Sequence, residues 1–185
     1  MAVIHLVSLA YPYPLHLQAL QEEIRRETGL DTDLRTEPFD IRYAYDTVRQ
    51  QYHSTQILLG LKKRLLADGD YILGVTAVDL FIPILTYVFG EAQLKGPAGV
   101  VSSFRLQPEL YGLAKDEQLV LQRLGKEAIH ELGHNFGLRH CASYDCVMHA
   151  STYAEEIDLK GSAYCGDCRH LIDLERERGT IAAHP

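Results

Sequence analysis

The 185-residue chain has no tryptophan, two methionines and four cysteines, and it has no uninterrupted hydrophobic run of membrane length. Its most apolar stretch, Tyr71 to Gly90, is cut by Gly74, Asp79 and Pro83. A spanning helix needs about 20 apolar residues in succession, so the stretch reads as buried strands. Positive charge is scarce as well: 18 Lys and Arg against 25 Asp and Glu give a net charge of −7. An acidic chain has no electrostatic reason to hold a polyanion, so neither nucleic acid nor an anionic membrane is expected as a partner. Ala2 to Ala10 carries His5 and Ser8 and lacks a basic leader. An export signal is therefore not expected, and the expected location is the cytoplasm.

What remains is an ordinary globular composition, 46% hydrophobic and 23% charged, which excludes disorder, collagen and a disulfide miniprotein. The length suits one domain, or one domain built as two lobes across a cleft, and a monomer is expected. The first half alternates strand and helix patterns. Val3 to Val7 is a β-branched run. Leu17, Leu20 and Ile24 follow at helical spacing, with Gly29 as a cap. Leu30 to Glu37 alternates as a second strand. Val48, Tyr52, Thr55, Leu59 and Leu66 predict a long helix over Thr47 to Ala67. Tyr71 to Val78, Leu80 to Ala92 and Ala98 to Phe104 read as three more strands. A β-α-β-α-β order implies an α/β fold with a parallel sheet, and the short turns between the last strands imply one antiparallel edge strand. Asp116 to Phe136 is the next helix, with Leu121, Leu124, Ala128, Leu132 and Phe136 as its stripe.

After Gly137 the repeating patterns stop, and cysteine, histidine and tyrosine become dense. This change sets an expected boundary: residues 1–137 as an upper subdomain and 138–185 as a lower one. A segment below roughly 50 residues rarely makes its own core and needs a staple. The alternating charges of Glu175 to Arg178 read as a solvated helix face.

The chemistry concentrates in the run from His130 to His140. His130 and His134 stand four apart on the predicted helix, so both rings project from one face at a spacing that lets two nitrogens reach one metal ion. Glu131 is rotated by about a quarter turn, beside the metal rather than on it. Gly137 lets the helix stop and the chain turn back, which brings His140 round as a third ligand. Three neutral nitrogens leave a fourth zinc position for water, whose pKa the metal lowers to about 7. Glu131 would take a proton from that water and deliver it to the leaving amine. A His-Glu-x-x-His match alone occurs by accident in many helices; Gly137 and His140 at the right distances make ordinary core or surface histidines the weaker reading. His5, His16, His53, His170 and His184 are taken as non-ligands.

Every cysteine belongs to a second constellation. Cys141 and Cys146 have four residues between them and Cys165 and Cys168 have two. Two close pairs joined by a longer loop are the pattern of a structural Cys₄ zinc site; two disulfides are the alternative, without support from any sign of an oxidising compartment. Two zinc ions per chain are expected. Because neighbouring side chains of an extended segment point to opposite sides, His140 should face one metal and Cys141 the other.

The motif His130-Glu131-x-x-His134-x-x-Gly137-x-x-His140-Cys141-x₄-Cys146-x-Met148, followed by Cys165-x-x-Cys168, resembles the archaemetzincins, a branch of the metzincin clan of zinc metallopeptidases. One departure is visible: 16 residues separate Met148 from Cys165, where the family pattern has 17. The resemblance implies a metzincin-like fold: a twisted mixed sheet with helices in the upper lobe, a cleft, and a small zinc-stapled lower lobe. It implies that Met148 forms an apolar floor under the histidines. It also implies that an antiparallel edge strand within Tyr87 to Ala92 (Val88, Phe89, Gly90, Glu91, Ala92) pairs with an extended substrate. Tyr144, His149 and Tyr153 are left without a role. The function expected is a zinc metallopeptidase acting on peptides or unfolded protein. A zinc-stabilised binding module and a zinc amidase acting on a non-peptide substrate are the alternatives.

Overall fold

A computed structural model describes residues 2–64 and 69–177. Five strands form the main sheet: β1 (Val3–Ser8), β2 (Asp31–Arg35), β5 (Tyr71–Thr76), β7 (Gly90–Ala92) and β8 (Ala98–Ser102), in the order β2-β1-β5-β8-β7. The first four run parallel, and β7 lies antiparallel on β8 with Gly90 opposite Val101 and Ala92 opposite Gly99. A second, small sheet joins β3 (Tyr45–Asp46), β4 (Gln51–His53) and β6 (Leu80–Phe81). Helices α1 (Pro14–Thr28), α2 (Ser54–Lys62) and α3 (Glu117–Asn135) cover the main sheet, and α4 (Ala154–Leu159) and α5 (Gly166–Glu177) follow.

Strand alternation explains why the central strands of the sheet are apolar on both faces. Ile4, Leu6, Leu73 and Val101 pack with Leu17, Leu20 and Ile24 of α1 and with Leu124, Ala128 and Leu132 of α3. The residues between them, Val7, Ile72 and Val100, pack with Ile57, Leu58 and Leu61 of α2. A parallel sheet covered on both faces must be hydrophobic at every position, and β5 and β8 are buried along their whole length. α1 ends at Gly29, whose left-handed φ of 70° lets its N–H reach the Arg25 carbonyl at 2.8 Å.

Two expectations change. The helix over Thr47 to Ala67 is a turn, a strand and a shorter helix; Leu66 and Ala67 lie outside the described residues. The Asp46 carboxylate accepts the N–H groups of Val48 and Arg49, each at 2.9 Å. Such a local bond competes with helix formation, and Gln50 takes a positive φ of 57°. The buried face of α2 is Ile57, Leu58 and Leu61, while Val48 is 91% exposed and Leu59 54%. The expected strand over Leu80 to Ala92 is divided between the two sheets. Pro83 and the turn closed by Leu85 N–H on the Ile82 carbonyl (3.0 Å) interrupt it, and Val88 forms only an isolated bridge to Leu80.

Residues after Gly137 pack on the same core: Val147, Met148, Ile157 and Ile172 join the cluster of Leu132 and Phe136. Charged side chains of α3 tie them down. Arg123 is bidentate on Asp158 at 2.8 and 2.6 Å. Lys126 Nζ donates to the carbonyls of Ile157, Asp158 and Lys160 at 2.8, 3.1 and 2.8 Å, satisfying the open end of α4. The Glu175 to Arg178 face is not simply solvated. Glu175 pairs with Lys95 at 2.9 Å and Arg176 donates to the Thr28 carbonyl at 3.1 Å; Arg178 lies outside the described residues. Among the described residues, no helix is long and apolar enough to cross a membrane.

Candidate metal centre

α3 starts at Asp116, whose carboxylate caps Leu119 N–H at 2.9 Å. It ends in a reciprocal cap: Gly137 N–H bonds to the His134 carbonyl and Leu138 N–H to the Gly133 carbonyl, each at 2.9 Å. This arrangement needs a left-handed residue after the helix, and Gly137 supplies it with φ 97°. The reversal brings His140 to His130 and His134. Ring centroids are 4.7 Å apart for His130 and His134, 5.2 Å for His130 and His140, and 5.1 Å for His134 and His140. One nitrogen from each lies within 4.8 Å of the others.

Backbone carbonyls orient two of the rings. His130 Nδ1 lies 2.8 Å from the Val147 carbonyl and His134 Nδ1 2.8 Å from the Leu138 carbonyl. A carbonyl only accepts, so each Nδ1 carries the proton and each Nε2 keeps its lone pair. The two Nε2 atoms are 3.1 Å apart, close to the edge of about 3.3 Å that two nitrogens at about 2.0 Å from one tetrahedral ion would span. Burial holds all three imidazoles below their usual pKa, and the Lys160 ammonium adds to this. Neutral imidazole is the form that ligates.

Glu131 is buried on the same helix, and burial, then the charge of Glu127, pushes its carboxyl well above the usual range. A cation held by the histidines would act in the opposite sense. Glu127, one turn earlier, pairs with the fully buried ammonium of Lys160 at 2.8 Å, an ion pair without hydrogen-bond alignment at that oxygen. Lys160 also donates to the His149 carbonyl at 3.2 Å. The sequence reading missed this pair. The i, i+4 spacing of Glu127 and Glu131 was a signal for half of it; nothing local marks Lys160. Met148 is fully buried, and a side chain on Gly133, the residue before His134, would collide with its sulfur.

The four thiols form a second cluster. Cys141 and Cys165 sulfurs are 3.9 Å apart and Cys146 and Cys168 sulfurs 3.7 Å. Four sulfurs at about 2.3 Å around a tetrahedral ion would be about 3.8 Å apart. His140 and Cys141, adjacent in the chain, serve different clusters. Among the described residues His5, His16, His53 and His170 join neither, and His184 lies outside them. Cys141 N–H donates to the Met148 carbonyl at 2.9 Å, and His149 Nδ1 to the Cys141 carbonyl at 3.0 Å. The Tyr144 ring lies against that of His149, tilted by 35°, with centroids 4.2 Å apart.

The three histidines and Glu131 open into a cleft of about 600 Å³. Val88 to Ala92 form one wall, and Ala150 to Tyr153 another. Glu91 faces α2, accepting hydrogen bonds from Ser54 and Thr55 at 2.5 and 2.8 Å. Tyr87 crosses from one wall to the other, its hydroxyl donating to the Thr152 carbonyl at 2.9 Å.

Three histidines converging on one point, a carboxylate beside them and an edge strand along the cleft are the parts of a metal-dependent hydrolase. A family model, peptidase family M54, matches residues 37–174. The chain is 45% identical over 126 residues to the archaemetzincin of Methanocaldococcus jannaschii, covering 68% of each. It is 38% identical over 143 residues to that of Pyrococcus furiosus, covering 75% of this chain and 73% of the relative. The structure is similar to the crystal structure of archaemetzincin from Methanopyrus kandleri, with a TM-score of 0.83, 32% identity and 96% of each chain covered. It is also similar to that of a zinc-dependent peptidase from Methanocorpusculum labreanum, with a TM-score of 0.84, 30% identity and coverage of 91% of this chain and 99% of that one. The chain belongs to peptidase family M54, the archaemetzincins, and is a zinc metallopeptidase.

Proposed function

We propose that this chain hydrolyses peptide bonds in peptides or unfolded protein at His130, His134 and His140, with Glu131 as general acid and base. A zinc ion held there would polarise the scissile carbonyl and acidify water to a pKa of about 7. The chain does the rest. Val147 and Leu138 fix which nitrogen each ring of α3 offers. Glu131 takes the proton of the attacking water and gives it to the leaving amine. Val88 to Ala92 bind the extended substrate along the edge of the sheet. Cys141, Cys146, Cys165 and Cys168 would hold a second zinc, which would tie down the segment that carries His140 and Met148. Residues 1–137 and 138–185 would act as upper and lower subdomains across the cleft, the chain working as a monomer in a reducing compartment such as the cytoplasm, where thiols stay free for metal.

The observation that carries this reading is the pairing of three convergent imidazoles with a buried carboxylate that no purely structural site requires. The experiment is peptide hydrolysis by Glu131→Gln with metal content measured beside it. Turnover should fall about 10²- to 10⁴-fold while two zinc ions per chain remain. Undiminished turnover would remove Glu131 from the mechanism, and a single zinc in the active wild type would remove the two-metal assignment.

A further inference from the structure

The carboxylate of Glu131 needs a seat between the metal-binding helix and the edge of the sheet, and the edge strand has a gap there. Alternation along β7 turns Glu91 toward α2, where Ser54 and Thr55 donate to it, and turns Gly90 and Ala92 to the opposite face. A Cβ on Gly90 would lie 2.6 Å from Glu131 Oε1, 2.8 Å from Glu131 Cγ and 2.8 Å from the Val100 carbonyl oxygen. Non-bonded carbon contacts settle at about 3.5–4.0 Å, so something would have to move. The Val100 carbonyl belongs to β8, which is paired on both sides and buried along its length. The Glu131 side chain is the part that can yield.

Glycine here has no conformational reason. Gly90 is not among the residues with positive φ, and glycine weakens a strand that does not need it. Space is the remaining reason. The same face carries a second gap: a Cβ on Gly99 of β8 would lie 3.2 Å from Asn135 Oδ1. Glu131 and Asn135 are four apart, on one side of α3. The Asn135 amide donates to the Gln93 and Ala98 carbonyls at 3.1 and 3.0 Å, which fixes the β7–β8 turn against the helix. The register of β7 on α3 is thus pinned at Asn135, and Gly90 falls opposite Glu131 as a consequence.

We propose that Gly90 is a positioning residue for the hydrolysis: its bare Cα is the wall against which the Glu131 side chain lies, and any larger residue displaces the base from its working position. This rests on the reading of Glu131 as the base.

The test compares Gly90→Ala in the wild type and in a Glu131→Ala background, whose side chain stops at Cβ and so lacks both the Cγ and the carboxylate that a Cβ on Gly90 would meet. In the wild type, kcat should fall about 100-fold, the scale expected for a displacement of about 1 Å, with KM within twofold and zinc content unchanged. In the Glu131→Ala background the same substitution should lower the thermal midpoint of the metal-free protein by less than it does in the wild type. A Gly90→Ala protein that folds only in the Glu131→Ala background supports the steric argument too. Equal losses in both backgrounds, a rise in KM with kcat unchanged, or failure to fold in either background would overturn it, because each points to strand displacement through Val100. Undiminished turnover in Glu131→Gln sinks the underlying assignment of the base whatever Gly90→Ala does.

Discussion

Residues 3–102 bury Ile4, Leu6, Leu73 and Val100 in ladders of parallel strands that helices cover on both faces, whereas residues 138–177 contain two helices, no strand of the main sheet and all four cysteines. The first region is held by area removed from water, cooperatively and over many residues. The second packs on that core through Val147, Met148, Ile157 and Ile172 and adds a few strong points: the thiol cluster, the Arg123–Asp158 bridge, Lys126 on the end of α4, and Tyr164 donating to the Ile129 carbonyl at 2.7 Å. The functional histidines straddle the division, two on the helix that closes the sheet core and one on the segment beyond it. A cleft built this way has one wall fixed by the sheet and another fixed by packing together with point contacts, and metal removal should reach the second first.

Stripping bound metal with a chelator is the strongest way to break that contrast. A structural zinc contributes about 10 kcal/mol or more of folding free energy. Amide exchange is therefore expected to rise sharply across residues 141–168 while β1, β5 and β8 keep their protection; equal loss in both regions would show a single cooperative unit. Next in size is Lys160→Met, which strands Glu127 in the core. Breaking one side of a buried ion pair costs about 3–5 kcal/mol, visible in denaturant unfolding, and the loss should shrink when Glu127→Gln is added. Leu73→Ala acts on the sheet alone. Its side chain is fully buried, so a loss of about 2–5 kcal/mol is expected, with the zinc to protein ratio of the folded fraction unchanged.

The smallest effect lies at high pH. Burial raises the Tyr11 phenol from 10.0 to about 12, and its hydroxyl meets His16 Nδ1 at 3.0 Å. Between pH 10 and about 12 the folded form holds a proton that the unfolded chain has lost, so stability falls as pH rises through that window. Tyr11→Phe should flatten part of this slope in thermal melts; Tyr164, raised in the same direction by burial, keeps the remainder.

How much was legible varied with how local the cause was. The run from His130 to His140 could be read because helix spacing and a glycine cap operate within a dozen residues, and the structure brings those three rings together. The antiparallel edge strand was placed within Tyr87 to Ala92 and forms over Gly90–Ala92, its start shifted by a proline and a turn. The helix over Thr47 to Ala67 failed because Val48, Tyr52, Thr55 and Leu59 repeat at helical spacing while the face that packs is Ile57, Leu58 and Leu61. Periodicity shows that a stripe exists, and the Asp46 carboxylate, by capturing two backbone donors, decided where the helix could begin.

Sequence alone determined the donor types, their spacing, the opening β1-α1-β2 and the helix that carries His130 and His134, because each depends on residues near one another in the chain. Only the tertiary structure decided that Lys160 faces Glu127 across 33 positions, that Gly90 leaves room for Glu131, and that Val147 orients His130. Those contacts arise when separate elements dock on a shared core, and no local pattern encodes the distance between side chains that meet only after the chain has folded.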